Sequence, residues 1–259
     1  MELIVVTDPD TLAEAVADRI ARAVTARPQT VLGVATGSSP LGVYRALAAR
    51  VAAGLDVSRV QAFALDEYVG MGPDDPQSYA ATLQEAFARP LGLHTSALHV
   101  PDGTRPDLDQ ACRDYERAIL DAGGVDIQLA GFGANGHLAF NEPGSTVDSI
   151  TRVVELAERT RADNARFFDD PDEVPHRAIT QGIGTILRAR SIIAVATGAA
   201  KAEAVAAAVS GPIDAACPAS FLRLHPDAVV YADPAAASRL ESLEVVGVVV
   251  SPSADPTAG

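Results

Sequence analysis

The sequence predicts a single α/β domain with an open, mostly parallel sheet and helices on both faces. Short β-branched runs recur along the 259 residues, and each is followed by a longer, alanine-rich segment. The runs are almost continuously apolar rather than alternating, which indicates strands that are covered on both faces. With 48% hydrophobic residues, the chain can bury a large core. We therefore expect a doubly wound, Rossmann-like architecture.

Six strands and four helices are predicted in alternation. Asp8-Pro9-Asp10 precedes the first helix and Ser39-Pro40 the second, so both helices have cap residues and a proline near their start. The predicted strands span residues 3–6, 31–35, 60–65, 127–130, 192–196 and 229–231. The predicted helices span residues 11–25, 41–53, 108–121 and 201–210.

Two segments depart from this alternation. Residues 141–175 are rich in charges and weakly periodic, so they form an excursion from the sheet, and residues 145–175 are predicted to act as a mobile lid. The last residues are polar and rich in proline, which predicts a frayed tail over 244–259 after a domain of residues 1–243.

Charge and composition exclude several classes of function. With 20 basic and 34 acidic residues, the formal charge is -14, which disfavours nucleic acid and anionic membranes as partners. No apolar run is long enough for a membrane span, and residues 1–7 lack the features of a signal peptide, so we expect a cytoplasmic protein. Cys112 and Cys217 are too few for a disulfide framework and are predicted to be buried.

The loop after the second predicted strand suits an anion. It contains Thr36, Gly37, Ser38 and Ser39, and it leads into a helix. Glycine allows close approach to the backbone, hydroxyl groups donate hydrogen bonds, and a helix N-terminus offers free N–H groups. The alternative is an ordinary turn with a serine cap.

Two adjacent carboxylates, Asp66 and Glu67, follow the third predicted strand. A buried aspartate at the carboxyl end of a strand can act as a general base when its pKa moves toward neutrality. The alternative is a solvated acidic loop, which is common in a chain of this charge.

The segment after the fourth predicted strand, GFGANGHLAFNEP, contains three glycines and one histidine. Its spacing does not match the dinucleotide fingerprint, so nucleotide binding is not predicted. His137, with Asn135 and Glu142 within reach, resembles an acid–base imidazole that polar partners orient. The alternative is a structural histidine in a tight turn. We assign His94, His99, His176 and His225 to structure or solvent, and no zinc site is predicted.

Together, these segments resemble the glucosamine-6-phosphate deaminase family, in the superfamily that includes 6-phosphogluconolactonases. The resemblance extends from the first strand to about Asp233. It includes ATGSSPLGVY, LDEYVG, SYAATL, GFGANGHLAFNEPGS, TRADNARFFDD, ITQGIGTIL and CPASFLRLHP. The resemblance implies conversion of glucosamine 6-phosphate and water to fructose 6-phosphate and ammonia, without a metal or organic cofactor.

The resemblance also implies roles for individual residues. Asp66 would take the proton from C2 and deliver it to C1, and His137 would move a proton during opening of the sugar ring. Glu142 would keep the imidazole oriented and charged. Asn135 stands where a common form of the motif has aspartate; it would accept a hydrogen bond from the imidazole without adding a charge, which predicts a shifted pH profile.

For the substrate's phosphate, the resemblance points to three segments. They are the loop of residues 36–39, Arg166, and Lys201. Two cations near a Gly/Ser loop can hold a dianion through charge-assisted hydrogen bonds. Without the resemblance, Lys201 would be taken as a surface lysine.

Three other functions stay open at this point. The first is a 6-phosphogluconolactonase, whose typical segments differ from LDEYVG and FNEPG; the second is a deaminase of galactosamine 6-phosphate. The third is a non-catalytic sugar-phosphate sensor domain, although no helix-turn-helix precedes the first strand.

Regulation and assembly are predicted from one segment. In hexameric members of the family, a second phosphate site between subunits resembles residues 145–154. Ser145 and Arg152 are present, but Val154 stands where the allosteric pattern has lysine. We therefore expect no activation by N-acetylglucosamine 6-phosphate. After Asp233 the sequence also departs from that of the hexameric members, which leaves their contacts between subunits in doubt. Both a monomer and a homo-oligomer therefore stay open.

Overall fold

The computed structural model describes residues 1–240. The predicted tail, residues 244–259, and the predicted end of the domain at residue 243 lie outside the described residues. Within them, the predicted α/β architecture is confirmed.

A seven-stranded sheet forms the centre of the molecule, and all of its strand pairs are parallel. The strands are β1 (Glu2–Val5), β2 (Val31–Val34), β3 (Gln61–Ala64), β5 (Leu98–His99), β6 (Ile127–Gly131), β9 (Ser191–Ala196) and β10 (Ala228–Ala232). Their order in the sheet is β1-β10-β9-β6-β2-β3-β5. The six predicted strands are present, with boundaries that differ by one residue, and the short edge strand β5 was not predicted.

Two apolar cores, one on each face of this sheet, explain the continuous apolar runs. In β9, Ile193 and Val195 belong to one core, whereas Ile192 and Ala194 belong to the other. Successive side chains of a strand point to opposite faces, so a strand buried on both faces must be apolar at every position.

Helices cover both cores, and the four predicted ones are present. Helices α1 (Pro9–Ala26) and α2 (Ser38–Ala52) contribute to the first core, and α5 (Leu108–Asp121) and α8 (Ala202–Ser210) to the second. The predicted cap of α1 is confirmed, because the Asp8 carboxylate accepts hydrogen bonds from the backbone N–H groups of Asp10 and Thr11. The shorter helices are α3 (Tyr79–Leu83), α4 (Arg89–Leu91), α6 (Glu158–Asn164) and α7 (Ile183–Leu187).

A second, antiparallel sheet of three strands was not predicted. Its order is β4-β8-β7, with β4 at Asp66–Tyr68, β7 at Arg152–Glu155 and β8 at Arg177–Thr180. Only Leu65 separates β3 from β4, which is why the apolar pattern predicts one strand over residues 60–65 followed by a loop. Strand β7 lies within residues 141–175, the segment that is predicted to leave the sheet.

Other predictions concern burial and membranes. Cys112 and Cys217 are free and buried, as predicted. Among residues 1–240, no helix has the length and apolar character that a bilayer crossing requires.

Candidate active site

Four segments meet at the carboxyl edge of the main sheet. They follow β2, β3, β6 and β9, which are neighbours in the order β9-β6-β2-β3. Because these strands are parallel, their carboxyl ends lie at the same edge, where ligands bind in open α/β sheets. All predicted site residues except Arg166 lie on these segments.

The loop after β2 leaves the start of α2 open. Gly37 has a φ of 92°, and no described atom lies within 4 Å of the position that a Cβ would occupy. Gly37 is also the N-cap of α2 and supplies no side-chain cap, so N–H groups of the first turn are available to an anion. The prediction that Ser39-Pro40 caps a helix over residues 41–53 is wrong, because the helix begins three residues earlier, at Ser38.

Asp66 is the first residue of β4, two residues beyond the end of β3 at Ala64. It is only 6% exposed and pairs with Thr180 of β8. Burial, together with the neighbouring Glu67 charge, raises the pKa of Asp66 to about 8, although the Phe140 backbone N–H acts in the opposite direction. A carboxylate with this pKa is a suitable base for carbon acids near neutral pH.

Glu67 has a different, structural task. Its carboxylate accepts hydrogen bonds from the backbone N–H groups of Tyr68, Tyr79 and Ala80, at 2.8 to 3.0 Å. Tyr79 and Ala80 form the first turn of α3, so Glu67 ties this helix to β4. Burial raises the pKa of Glu67, whereas these hydrogen bonds lower it. Of the two adjacent carboxylates, only Asp66 lacks such a network of backbone donors.

Crowding explains two of the glycines after β6. A Cβ on Gly133 would lie 2.3 Å from the ring of His137, and a Cβ on Gly136 would lie 2.6 Å from Sγ of Cys217. Gly136 also has a φ of 82°, in the left-handed region. These glycines therefore allow a tight turn that fixes the His137 ring, which accounts for a Gly-x-Gly pattern without a dinucleotide.

His137, Asn135 and Glu142 are brought together as predicted. Nδ1 of His137 lies 3.6 Å from Oε2 of Glu142, an ion-pair distance. The Glu142 carboxylate also accepts hydrogen bonds from the Asn135 amide, at 2.7 Å, and from the Thr160 hydroxyl. Burial raises the pKa of Glu142, but the His137, Thr160 and Asn135 contacts outweigh it and lower the pKa to about 2.

The predicted contact between Asn135 and the imidazole is wrong. Oδ1 of Asn135 accepts instead from the backbone N–H of His137, at 3.2 Å, while its amide nitrogen donates to Glu142. Asn135 therefore orients the carboxylate and the turn rather than the ring. The Phe140 N–H, in the same turn, donates to the Thr180 hydroxyl at 3.2 Å, and Thr180 is the residue that pairs with Asp66.

The charges of the two predicted phosphate cations, Lys201 and Arg166, influence each other. Lys201 ends a short 3₁₀ turn, Ala199–Lys201, after β9. Burial lowers the pKa of Lys201, the nearby Asp163 carboxylate raises it, and the positive charge of Arg166 lowers it again. The Arg166 guanidinium also lies 4.7 Å from the centre of the Phe167 ring.

Sequence reasoning missed four polar residues around this site: Thr160, Asn164, Tyr68 and Tyr79. Thr160 and Asn164 lie on α6, within the predicted lid, and they donate hydrogen bonds to Glu142 and to the Tyr68 hydroxyl. Tyr79 donates to the same hydroxyl. No local spacing relates these residues, because the contacts join segments far apart in sequence.

Across residues 1–240, no three His, Cys, Asp or Glu side chains are grouped so that they could hold a metal ion. His225, which is predicted to have a structural role, is buried, and its Nε2 lies 2.8 Å from the carbonyl oxygen of Ala189.

Comparisons with known proteins agree on one family. A family model described as glucosamine-6-phosphate isomerases/6-phosphogluconolactonase matches residues 8–231. Glucosamine-6-phosphate deaminase from Cutibacterium acnes is 52% identical over 245 residues, with 94% of each chain covered. The enzyme of the same name from Streptomyces coelicolor is 50% identical over 243 residues, with 93% of each chain covered.

Solved structures extend this agreement to the fold. A monomeric glucosamine-6-phosphate deaminase is 40% identical, with a TM-score of 0.90 over 92% of this chain and 100% of that one. The 6-phosphogluconolactonase from Trypanosoma brucei has the same fold, with a TM-score of 0.74 over 93% of this chain and 99% of that one, at 21% identity. The chain therefore belongs to the glucosamine-6-phosphate deaminase family, within the superfamily that includes the 6-phosphogluconolactonases.

Proposed function

We propose that this chain is an enzyme that converts glucosamine 6-phosphate and water to fructose 6-phosphate and ammonia. The observation that carries the proposal is the buried Asp66, whose pKa is raised to about 8 at the sheet edge that also holds His137 and Glu142. Isomerisation of an aldose requires a base that removes a proton from carbon, and no metal or organic cofactor is needed for that step.

The phosphate of the substrate binds between the loop of residues 36–39 and the two cations. The open N-terminus of α2 and the adjacent hydroxyl groups donate hydrogen bonds to its oxygens. Lys201 and Arg166 supply the positive charge that a dianion needs in a chain with a net charge of -14.

The sugar ring opens with help from His137. The imidazole moves a proton between the hydroxyl on C1 and the ring oxygen, which breaks the C1–O5 bond and leaves an open-chain aldehyde. Glu142 stabilises the imidazolium form, because its carboxylate stays charged with a pKa of about 2 and lies 3.6 Å from Nδ1.

Asp66 then completes the isomerisation. Its carboxylate removes the proton from C2 while the His137 imidazolium protonates O1, giving an enolamine, and the protonated acid returns that proton to C1. The product is a protonated imine at C2. Water adds to this carbon, a proton passes from the added water to the nitrogen, and the C2–N bond breaks to release ammonia while the C2 oxygen returns its remaining proton to His137. Exclusion of water from the buried carboxylate keeps its basicity high until substrate binds.

A panel of substrates tests the proposal. Ammonia release is measured with glucosamine 6-phosphate and galactosamine 6-phosphate, and ester hydrolysis is measured with 6-phosphogluconolactone. We expect ammonia and fructose 6-phosphate from the glucosamine substrate, with release slowed by at least about 100-fold in the Asp66→Asn variant. Lactone hydrolysis without ammonia release would identify a 6-phosphogluconolactonase. Faster ammonia release from galactosamine 6-phosphate would identify that sugar as the preferred substrate. Binding of sugar phosphates without turnover of any of them would identify a sensor domain.

We further propose a cytoplasmic location, supported by two free, buried cysteines that suit a reducing compartment. For the assembly we propose a monomer, since the relative at 40% identity is described as monomeric. Light scattering at several protein concentrations distinguishes this state from the homo-oligomer that the sequence left open.

A further inference from the structure

The Tyr68 hydroxyl joins two segments that are distant in sequence. It lies 3.2 Å from the hydroxyl of Tyr79, at the start of α3, and 3.0 Å from Nδ2 of Asn164, at the end of α6. The Tyr68 side chain is 1% exposed. In such a site, a polar group that loses its partner does not regain one from water.

The ring of Tyr68 is held by aromatic neighbours on three other segments. Its centroid lies 4.7 Å from that of Tyr79, 5.7 Å from that of Phe140 and 5.8 Å from that of Phe168. Phe140 belongs to the turn between His137 and Glu142. This packing fixes the ring and therefore the position of its hydroxyl oxygen.

The same contacts connect the end of α6 to the sheet edge that carries the predicted phosphate loop. Tyr79 begins α3, and Glu67 ties this helix to β4 through the backbone N–H groups of Tyr79 and Ala80. The loop of residues 36–39 follows β2, which pairs with β3, the strand that leads into β4. Asn164, at the other end of the polar chain, lies two residues before Arg166.

We propose that Tyr68 is a positioning residue that holds Arg166 at the correct distance from the phosphate loop. This inference rests on the proposed function, because it assumes that Arg166 and the loop of residues 36–39 bind one phosphate. Without the Tyr68 oxygen, the Asn164 amide loses its acceptor and the end of α6 is no longer tied to α3. Arg166 is then held less firmly relative to the loop of residues 36–39, so the phosphate dianion binds more weakly. The positions of Asp66 and His137 do not change.

Tyr68→Phe tests the proposal because it retains the ring and removes only the hydroxyl. We expect the KM for glucosamine 6-phosphate and the Kd for inorganic phosphate to rise by about three- to tenfold, the effect of one lost hydrogen bond, with kcat changed less than KM. Tyr115→Phe is the matched control, since it also removes a buried phenolic hydroxyl, one that contacts the Ala64 and His99 carbonyls instead. It should lower the unfolding temperature to a similar extent without weakening phosphate binding.

A double-mutant cycle with Asn164→Ala makes the test specific. If the two groups act through one hydrogen bond, the double variant binds phosphate about as weakly as either single variant. Phosphate binding by Tyr68→Phe that equals the wild type, or additive effects in the cycle, would overturn the proposal. Binding of inorganic phosphate is measured by calorimetry on the whole protein, so a failure of the deaminase assignment, seen as absent ammonia release, is distinguishable from a failure of this inference.

Discussion

The side-chain amide of Asn135 donates a 2.7 Å hydrogen bond to Oε2 of Glu142, the same oxygen that lies 3.6 Å from Nδ1 of His137. An aspartate at position 135 has no amide hydrogen to donate, and its carboxylate would face that of Glu142. Two carboxylates at this distance do not both ionise easily, so the pKa of the pair rises.

Asn135→Asp is therefore expected to keep activity but to move the acidic limb of the kcat profile to higher pH, by about one unit. Asn135→Ala removes the amide without adding a charge, and it should lower kcat with a smaller shift of that limb. The measurement is kcat from pH 4 to 9 for the three proteins. Superimposable profiles for wild type and Asn135→Asp would show that the Glu142 contact does not control the protonation of this group.

Asp66→Asn is expected to abolish most turnover while substrate binding stays nearly intact. General acid–base groups typically contribute on the order of 10²–10⁴-fold, so kcat should fall at least that far. Exchange of the C2 hydrogen of glucosamine 6-phosphate with solvent deuterium isolates the proton-transfer step. Exchange at the native rate in the variant would contradict the role of Asp66.

The raised pKa of Asp66 also affects stability. The unfolded carboxyl loses its proton near pH 4, whereas the folded one keeps it to about pH 8, so the folded state binds more protons in this window and stability falls as pH rises through it. Asp66→Asn should therefore raise the free energy of unfolding at pH 8, on the order of 1–2 kcal/mol, and much less at pH 4.

Thermal unfolding at the two pH values checks this expectation. Asp56→Asn is a suitable control, since that carboxylate is exposed and hydrogen bonds to Ser58 lower its pKa. It should give no gain at pH 8. An equal change for Asp66→Asn at both pH values would mean that its protonation is not coupled to folding.

Residues 145–175 are expected to become more ordered when a sugar phosphate binds. Arg166 lies in this segment, and Thr160 and Asn164 connect it to Glu142 and Tyr68. Hydrogen exchange of its amides should slow in the presence of a competitive sugar phosphate, while that of α5 should not change. Unchanged exchange over 145–175 would contradict a lid.

Velocity against glucosamine 6-phosphate is expected to be hyperbolic, and N-acetylglucosamine 6-phosphate should leave it unchanged. Arg152 already donates to Oδ1 of Asn141, at 2.8 Å, and to Oγ of Ser145, at 3.2 Å. Val154 offers no charge and packs against the apolar cluster around Tyr68. Loss of one charge-assisted contact to a dianion costs about tenfold or more in affinity. A sigmoidal curve that the effector makes hyperbolic would contradict this prediction.

The main sheet and the three site loops could be predicted because their signals are local. Continuous apolar runs identify strands buried on both faces, and the polar residues directly after them mark the sheet edge. The second sheet could not be predicted in this way, because β4 has three residues and its partner β8 lies far along the chain. The proposed positioning role of Tyr68 could not be predicted either, because it depends on contacts with Tyr79 and Asn164, and no sequence spacing indicates these contacts.

The pairing of β1 with β10 has a consequence for synthesis of the protein. Leu3 lies opposite Val230, and within residues 1–240 no strand other than β10 pairs with β1. On the ribosome, β1 leaves the exit tunnel long before its hydrogen-bonding partner, because β2 to β9 and the helices between them lie between the two strands in the sequence. The nascent chain must keep this apolar strand unpaired while the rest of the sheet is translated, which favours binding by chaperones and a slow final closure of the sheet.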